Sequence, residues 1–118
     1  NVAHRLRKAA DALTKRGLHY RCACPGAPAT RRGQAAPGGI HIDLCNAFWN
    51  VPAGLRMDAT TFRAGIILHE TLHVIYESID DAGAHRANDH CYEAFAMRAA
   101  GHAADRSDVR QCRPDRFP

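Results

Sequence analysis

The sequence has no long hydrophobic segment. Its longest uncharged apolar stretch runs from Ala64 to Leu68, far short of the ~20 residues that a membrane-spanning helix needs. The basic residues near the N-terminus are not followed by a hydrophobic core, so no signal peptide can be recognised. The chain begins with Asn1 instead of Met, and we expect a processed product or a domain excised from a larger protein. The sequence therefore predicts no membrane span.

Aromatic residues and internal repeats are also scarce. Aromatic residues make up 7% of the 118 residues, no segment repeats, and no basic run is interleaved with aromatics. Although the net charge is +4, this arrangement argues against a nucleic-acid-binding surface. A chain of this length can bury one hydrophobic core but not two. We therefore predict one soluble, monomeric domain that covers residues 1–118.

The five cysteines include no CxxC pair, which argues against a zinc ribbon or a thioredoxin-like redox site. They are Cys22, Cys24, Cys45, Cys91 and Cys112. This number is high for a protein of the reducing cytosol, whereas two disulfides and one free thiol suit a small exported domain. Buried free thiols are the alternative. The cysteines favour secretion, or translocation into an oxidising extracellular or periplasmic compartment.

Hydrophobic periodicity predicts a mostly helical α+β domain with a small β-sheet. Three helices are expected: over residues 2–16, from caps at Asp58–Thr61 to about Tyr76, and over His85–Ala100. The third helix is expected to bury a face that carries Cys91, Ala94, Phe95 and Ala99. Short strands are expected at residues 18–23 and, as an edge strand, at residues 40–43, with a Pro- and Gly-rich loop at 25–39. The tail from residue 102 is polar, and prolines near its end exclude a helix there.

The segment His69-Glu70-Thr71-Leu72-His73 carries the strongest chemical signal. Two histidines four residues apart on a helix point in the same direction, so both imidazoles can reach one cation. Glu70 projects beside them, where it can accept a proton from a water bound to zinc. The apolar residues on both sides of this HExxH motif are expected to bury the helix and exclude water. The alternative is a helix whose histidines are merely satisfied by hydrogen bonds.

A catalytic zinc ion also needs a third protein ligand and an open position for water. The residues that follow the second histidine offer these candidates: Glu77, Asp80, Asp81, His85, Asp89, His90 and Glu93. Residues 78–83 are expected to form a turn, which can bring an Asp back beneath the metal. Glu93 competes with that turn, because it lies on the next helix and faces back across a helical hairpin. The spacing alone leaves this choice open.

Residues 38–100 resemble the aspzincins, the deuterolysin and peptidyl-Lys metallopeptidase group of zinc endopeptidases. The resemblance rests on the HExxH motif, on the following Ser-Ile-Asp80-Asp81, and on the segment Asn88-Asp-His-Cys-Tyr-Glu93-Ala-Phe-Ala. The run from Ile40 to Trp49 is similar to the strand and Cys-x-x-Phe segment that precede the active-site helix in that group. The resemblance implies a zincin-like fold with the HExxH motif on its active-site helix.

The resemblance also implies a Zn²⁺ ion held by His69, His73 and Asp81, with Glu70 as the general base. Glu70 is then expected to take a proton from the water that attacks the peptide carbonyl and to pass it to the leaving amine. This chain has Ser-Ile where the family has Gly-Thr before the ligand Asp.

Two further positions differ from the family pattern. Ala84 stands where the family has a tyrosine that steadies the oxyanion, and the adjacent His85 is the catalytic residue expected to replace it. In the lysine-specific members an Asp and a Glu select a basic side chain. The matching positions here are His90 and Glu93, so lysine specificity is not expected.

These observations predict a zinc-dependent endopeptidase that acts on a protein or peptide substrate. It is expected to be a secreted enzyme or the catalytic domain of a toxin or effector, and an inhibitor or immunity protein is a candidate partner. A non-catalytic binding module, zinc-bound or stapled by disulfides, is the alternative. A basic nucleic-acid-binding domain with structural zinc is the third and least favoured interpretation.

Overall fold

The structure, a computed structural model, describes residues 2–15, 17–55, 57–76, 79, 81 and 88–112. These residues form five helices and a three-stranded sheet. The elements in chain order are α1 (Val2–Lys15), β1 (His19–Arg21), β2 (Gly33–Ala35), β3 (His41–Leu44), α2 (Asn46–Trp49), α3 (Ala59–Ile75), α4 (Asp89–Ala99) and α5 (Arg106–Gln111). The predicted α+β class is confirmed, and the zincin-like assignment stays a prediction. No described helix is long and apolar enough to cross a bilayer.

Helix α3 lies at the centre of the fold. It begins after Asp58, whose carboxylate accepts a hydrogen bond from the backbone N–H of Thr61 at 2.7 Å and so caps the first turn. One side of α3 belongs to a core cluster with the sheet and α2, which contains Ile42, Leu44, Phe48, Phe62, Ile66 and Val74. The other side belongs to a second cluster, which contains Ala9, Leu72, Ile79 and Tyr92. Three polar residues of α3, His69, Glu70 and Thr71, are buried in this packing.

The sheet has the order β1-β3-β2, with β3 parallel to β1 and antiparallel to β2. Two predictions are wrong here, because the expected loop at residues 25–39 contains β2 and the expected edge strand at residues 40–43 is the central strand. The Gly-Gln-Ala sequence of β2 has no strand-like alternation, so only its pairing with β3 makes it a strand.

The polar residue that made β3 look like an edge strand is Asp43. Its side chain is buried and accepts hydrogen bonds from Arg21 of β1 at 2.5 Å and from Gln34 of β2 at 2.9 Å. The Arg21 guanidinium holds the pKa of Asp43 below its usual value. A charged residue is tolerated on this central strand because both neighbouring strands supply hydrogen-bond donors.

Helix α4 begins after Asn88, whose side chain accepts a hydrogen bond from the backbone N–H of His90 at 2.9 Å. The predicted start at His85 lies outside the described residues. The buried residues of α4 are Asp89, His90, Tyr92, Glu93, Ala94 and Met97. Phe95 was expected on the buried face but is 51% exposed, because the face of α4 toward α3 carries polar residues that periodicity assigns to solvent.

Helix α5 was not predicted, since it carries few apolar residues. Asp105 caps it by accepting hydrogen bonds from the backbone N–H groups of Ser107 and Asp108 at 3.1 and 3.4 Å. Asp105 also forms an ion pair with Arg32 at 2.9 Å. The only buried residue of α5 is Asp108, so this helix is anchored by polar contacts and by a disulfide.

Two disulfides join Cys24 to Cys45 and Cys91 to Cys112, and Cys22 is free and exposed. The predicted pattern of two disulfides and one free thiol is confirmed. The first disulfide attaches the loop after β1 to the end of β3, and the second attaches the end of α5 to α4. Both bonds fasten segments that bury little apolar surface. They are compatible with an oxidising compartment.

Replacing both Cys91 and Cys112 by Ser is expected to lower the free energy of unfolding by about 3 kcal/mol, because the disulfide closes a loop of about 20 residues in the unfolded chain. Urea titration of the oxidised protein measures the change. The Cys22→Ser variant is the control and should stay within about 0.5 kcal/mol of the native chain. Equal stability of the double variant and the native chain would contradict the prediction.

Candidate metal centre

The two histidines of the HExxH motif lie one turn apart on α3 and face the same side of the helix. Their ring centroids are 5.1 Å apart, and both side chains are largely buried between the two core clusters. The Nδ1 atom of His73 lies 3.2 Å from the carbonyl oxygen of Ile79. If Nδ1 carries the proton for this bond, the Nε2 atom of His73 is left with a free lone pair.

Two aspartates bring carboxylate oxygens to these histidines. Oδ1 of Asp81 lies 3.0 Å from Nε2 of His69 and 3.1 Å from Nε2 of His73. Oδ2 of Asp89 lies 2.9 Å from Nε2 of His69 and also contacts Nε2 of His73. The four donor atoms lie within 4.8 Å of one another. Ligands of one zinc ion at 2.0–2.2 Å are themselves about 3.4 Å apart, so this spacing fits a metal ion.

The chemistry of the donors also fits a cation. Oδ2 of Asp89 is buried and has no hydrogen-bond partner among the residues that the structure describes. Burial lowers the pKa of His69, but contacts with the carboxylates of Asp81, Asp89 and Glu93 outweigh burial and hold that pKa well above its usual value. The same balance raises the pKa of His73 to about 10. The carboxylates therefore favour positive charge at this point, and a divalent cation supplies it. His69, His73, Asp81 and Asp89 can hold a metal ion.

Glu70 lies beside the donor cluster without joining it. Its Oε1 atom is 3.9 Å from Nε2 of His69, and its Oε2 atom is buried with no hydrogen-bond partner among the described residues. Burial raises the pKa of Glu70 to about 7. Gly33 of β2 lies directly over this side chain, since a Cβ atom at Gly33 would sit 3.0 Å from Cγ of Glu70. Strand β2 therefore restricts the positions that the Glu70 carboxylate can occupy.

Glu93 contacts the opposite nitrogen of His69. Its Oε1 atom lies 3.2 Å from Nδ1 of His69, so Glu93 can accept the Nδ1 proton and direct Nε2 toward the cluster. Glycine at position 65 allows this approach, because a Cβ atom there would be 3.0 Å from Oε2 of Glu93. In this geometry Glu93 orients His69, a candidate metal ligand, through the ring nitrogen that is not part of the donor cluster.

The Glu93→Gln variant is expected to bind zinc 10–100-fold more weakly, the usual cost of losing a carboxylate that orients a ligating histidine. Competition with a fluorescent zinc indicator measures the affinity. Asp11→Asn, which alters an exposed carboxylate on α1, is the control and should leave the affinity unchanged. If Glu93→Gln and the native chain bind zinc with equal affinity, Glu93 does not orient His69.

A second buried pair, His90 and Asp108, borders the donor cluster. Nδ1 of His90 lies 2.9 Å from Oδ1 of Asp108, and Nε2 of His90 lies 3.7 Å from Oδ1 of Asp81. The rings of His69 and His90 are 4.6 Å apart. Oδ2 of Asp108 is buried without a hydrogen-bond partner in the described part of the chain. The pair connects α5 to α4 at the border of the donor cluster.

The donor cluster opens into a cleft of about 560 Å³. The floor of this cleft includes Ile66, His69 and Glu70 of α3. One wall is the segment that leads into β2, with Gly33, and another is α5, with Asp108. The cleft therefore gives a ligand access to Glu70 and to two of the four donors, His69 and Asp81.

The predicted site residues fall into three groups. His69, Glu70, His73 and Asp81 come together in the structure, and Asp89, a candidate for the third zinc ligand, joins them. His90 and Glu93, which are candidates for the same ligand position, lie beside this group and contact its members. Glu77, Asp80 and His85 lie outside the described residues.

Sequence reasoning missed Asp108 and Gly33. Asp108 lies in a polar segment that gives no periodic signal, and its helix depends on a cap and a disulfide. Gly33 lies in a strand that the composition of residues 25–39 hides. The capping residue Asp105, three positions before Asp108, is the one local signal that could have indicated the helix.

Comparisons with known proteins identify no relative. No family model matches the chain, no curated protein is significantly similar to it, and no solved structure matches it. The function is therefore inferred from the residues of this site.

Proposed function

We propose that the chain is a zinc-dependent endopeptidase. The observation that carries the proposal is the buried Glu70 carboxylate. It lies beside the four-donor cluster and lines an open cleft, and its Oε2 atom has no hydrogen-bond partner in the described part of the chain. A structural metal site has no need of such a carboxylate or of such access. A hydrolytic site needs both, because a base must stand next to the water that attacks the substrate.

Zinc is the proposed metal because the donors are two imidazole nitrogens and carboxylate oxygens. Zinc binds these ligand types at short distances, whereas calcium and magnesium prefer oxygen ligands alone. When bound, zinc supplies a Lewis acid that polarises a carbonyl and brings the pKa of a coordinated water to about 7. His69, His73, Asp89 and Asp81 would hold this ion.

Residues of the chain carry out the proton transfers and hold the reacting groups in position. Glu70 accepts the proton of the attacking water on its free Oε2 atom and then gives that proton to the leaving amine. Gly33 restricts the position of the Glu70 carboxylate by its close approach, since a Cβ atom there would be 3.2 Å from Oε1 of Glu70. Glu93 holds His69 in orientation. No role is assigned to His85.

The number of donors bears on this mechanism. Four protein donors are one more than the three of a common catalytic zinc site, but zinc can expand to five ligands. Asp89 is completely buried, whereas the side chain of Asp81 is 63% exposed. The exposed carboxylate is therefore the donor that most easily makes room for water or for a substrate oxygen.

The proposal is tested by measuring metal content and digestion of an unfolded protein such as reduced casein. We expect about one zinc per chain and cleavage that stops when a chelator removes the metal. One equivalent of zinc should restore cleavage. A chain that binds no zinc, or whose cleavage does not depend on the metal, would overturn the proposal.

The second candidate is a non-catalytic module in which the metal only stabilises the fold. The completeness of the four-donor set favours it, since structural zinc sites are closed by four protein ligands. One bound zinc with no cleavage of any unfolded protein is the result that this candidate predicts.

The cellular setting also belongs to the proposal. Two disulfides are compatible with an oxidising compartment, and we propose a secreted peptidase or the catalytic domain of a toxin or effector. An inhibitor or immunity protein that fills the open cleft would be its partner. Addition of such a protein should block casein cleavage without removing zinc.

A further inference from the structure

The arginines around the cleft differ in whether a carboxylate neutralises them. Arg32 lines the cleft and forms an ion pair with Asp105 at 2.9 Å. Arg31 and Arg110 line the same cleft as His69 and Glu70, but neither is paired with a carboxylate of the described residues. The cleft thus carries two guanidinium groups whose charge is not neutralised within the described part of the fold.

Two backbone hydrogen bonds hold the main chain at Arg31. Its carbonyl oxygen accepts a hydrogen bond from the N–H of Ala47 at 3.0 Å, and its N–H donates to the carbonyl of Pro28 at 3.0 Å. The only described partner of its guanidinium is the neutral amide of Gln34, at 3.0 Å from Nη1. Arg31 lines the cleft, and its guanidinium has further N–H donors beyond the one given to Gln34.

Arg110 lies on α5, which forms another wall of the cleft. The cap at Asp105 fixes the start of this helix, and the disulfide of Cys112 fixes its end. The side chain of Arg110 is exposed and has no described partner. Two cationic side chains, on two separately anchored walls, therefore border the space that leads to Glu70.

We propose that Arg31 and Arg110 bind a carboxylate of the substrate, so that the chain selects acidic peptides. A guanidinium recognises a carboxylate through two parallel hydrogen bonds, which makes it selective for this group. The inference rests on the proposed peptidase function for the identity of the ligand, but it concerns binding and not the chemical step.

The carboxylate can come from an Asp or Glu side chain or from the C-terminus of a peptide. A set of fluorescein-labelled hexapeptides separates the two sources, with one central residue as Glu, Gln or Lys and the C-terminus free or amidated. Binding is measured by fluorescence anisotropy on the zinc-loaded Glu70→Gln variant, which holds peptides without turning them over.

We expect the amidated Glu peptide to bind about tenfold more tightly than the Gln peptide if the side chain is recognised, since hydrogen bonds to charged groups have this strength. If the C-terminus is recognised, the free acid binds about tenfold more tightly than the amide. In either case Arg31→Gln and Arg110→Gln abolish the difference. Arg106→Gln, on the exposed side of α5 outside the cleft lining, is the matched control and preserves it.

Equal binding of acidic, neutral and amidated peptides would overturn the inference, as would a loss of selectivity in Arg106→Gln equal to that in Arg110→Gln. The proposed function fails separately. A native chain that selects acidic peptides but cleaves none retains this binding site without the peptidase activity. Cleavage of peptides with no preference for a carboxylate would support the peptidase function and overturn this inference.

Discussion

The Glu70→Gln variant is expected to lose 10²- to 10⁴-fold in kcat while it still binds one zinc ion, the range over which a general base contributes to catalysis. Glutamine has the shape of glutamate and keeps one carbonyl oxygen, so the packing below Gly33 is preserved. It cannot accept the proton of the attacking water or return that proton to the amine. Initial rates of casein cleavage, together with metal analysis of the same samples, measure the two effects.

The comparison with Glu93→Gln separates chemistry from metal binding. That variant should recover its rate when zinc is added in excess, because Glu93 acts on the affinity of His69 for the metal. Glu70→Gln should not recover at any zinc concentration. Full activity of Glu70→Gln would exclude Glu70 as the base, and loss of zinc from it would show that Glu70 supports the metal instead.

Zinc is expected to raise the free energy of unfolding by about 4 kcal/mol when its free concentration is a thousandfold above its Kd. The physical reason is the concentration of buried carboxylates at one point. Without a cation, Asp89 and Asp81 must be balanced by protonated histidines, and Oδ2 of Asp89 is left without a hydrogen bond. The metal satisfies these atoms only in the folded chain. Urea unfolding in buffered zinc and in chelator measures the difference.

His73→Ala provides the control for this linkage. The variant removes one of the four donors and leaves the rest of α3 unchanged, so zinc should stabilise it much less than the native chain. An equal effect of zinc on both proteins would mean that the ion binds elsewhere. No effect on the native chain would mean that the histidine pair serves only as part of the core.

The residues of the HExxH motif were identifiable from the sequence because their relation is local. A separation of four residues on a helix fixes the direction of both histidines before any tertiary contact forms. The apolar residues next to them predicted the helix, and the candidate caps at Asp58–Thr61 predicted its start, where Asp58 is the residue that caps it. The assignment of Asp81 depended on a resemblance, and its role as a metal ligand stays a prediction.

The relations that cross between elements could not be predicted in this way. Phe95 was expected inside α4, but the face of α4 that packs toward α3 carries Asp89, His90 and Glu93. Periodicity assigns polar residues to solvent. It fails here, where a buried carboxylate faces a histidine of another helix, as Glu93 of α4 faces His69 of α3 at 3.2 Å.

Composition and local spacing by themselves determined the α+β class, the central helix with its two histidines and Glu70, and a cysteine content suited to two disulfides. Only the tertiary structure decided that Asp89 joins the donors, that Glu93 faces the rear of His69, and that Gly33 covers Glu70. The reason is physical. The first set depends on residues within a few positions of each other, whereas the second depends on how α3, α4 and β2 pack, which no short stretch of the chain encodes.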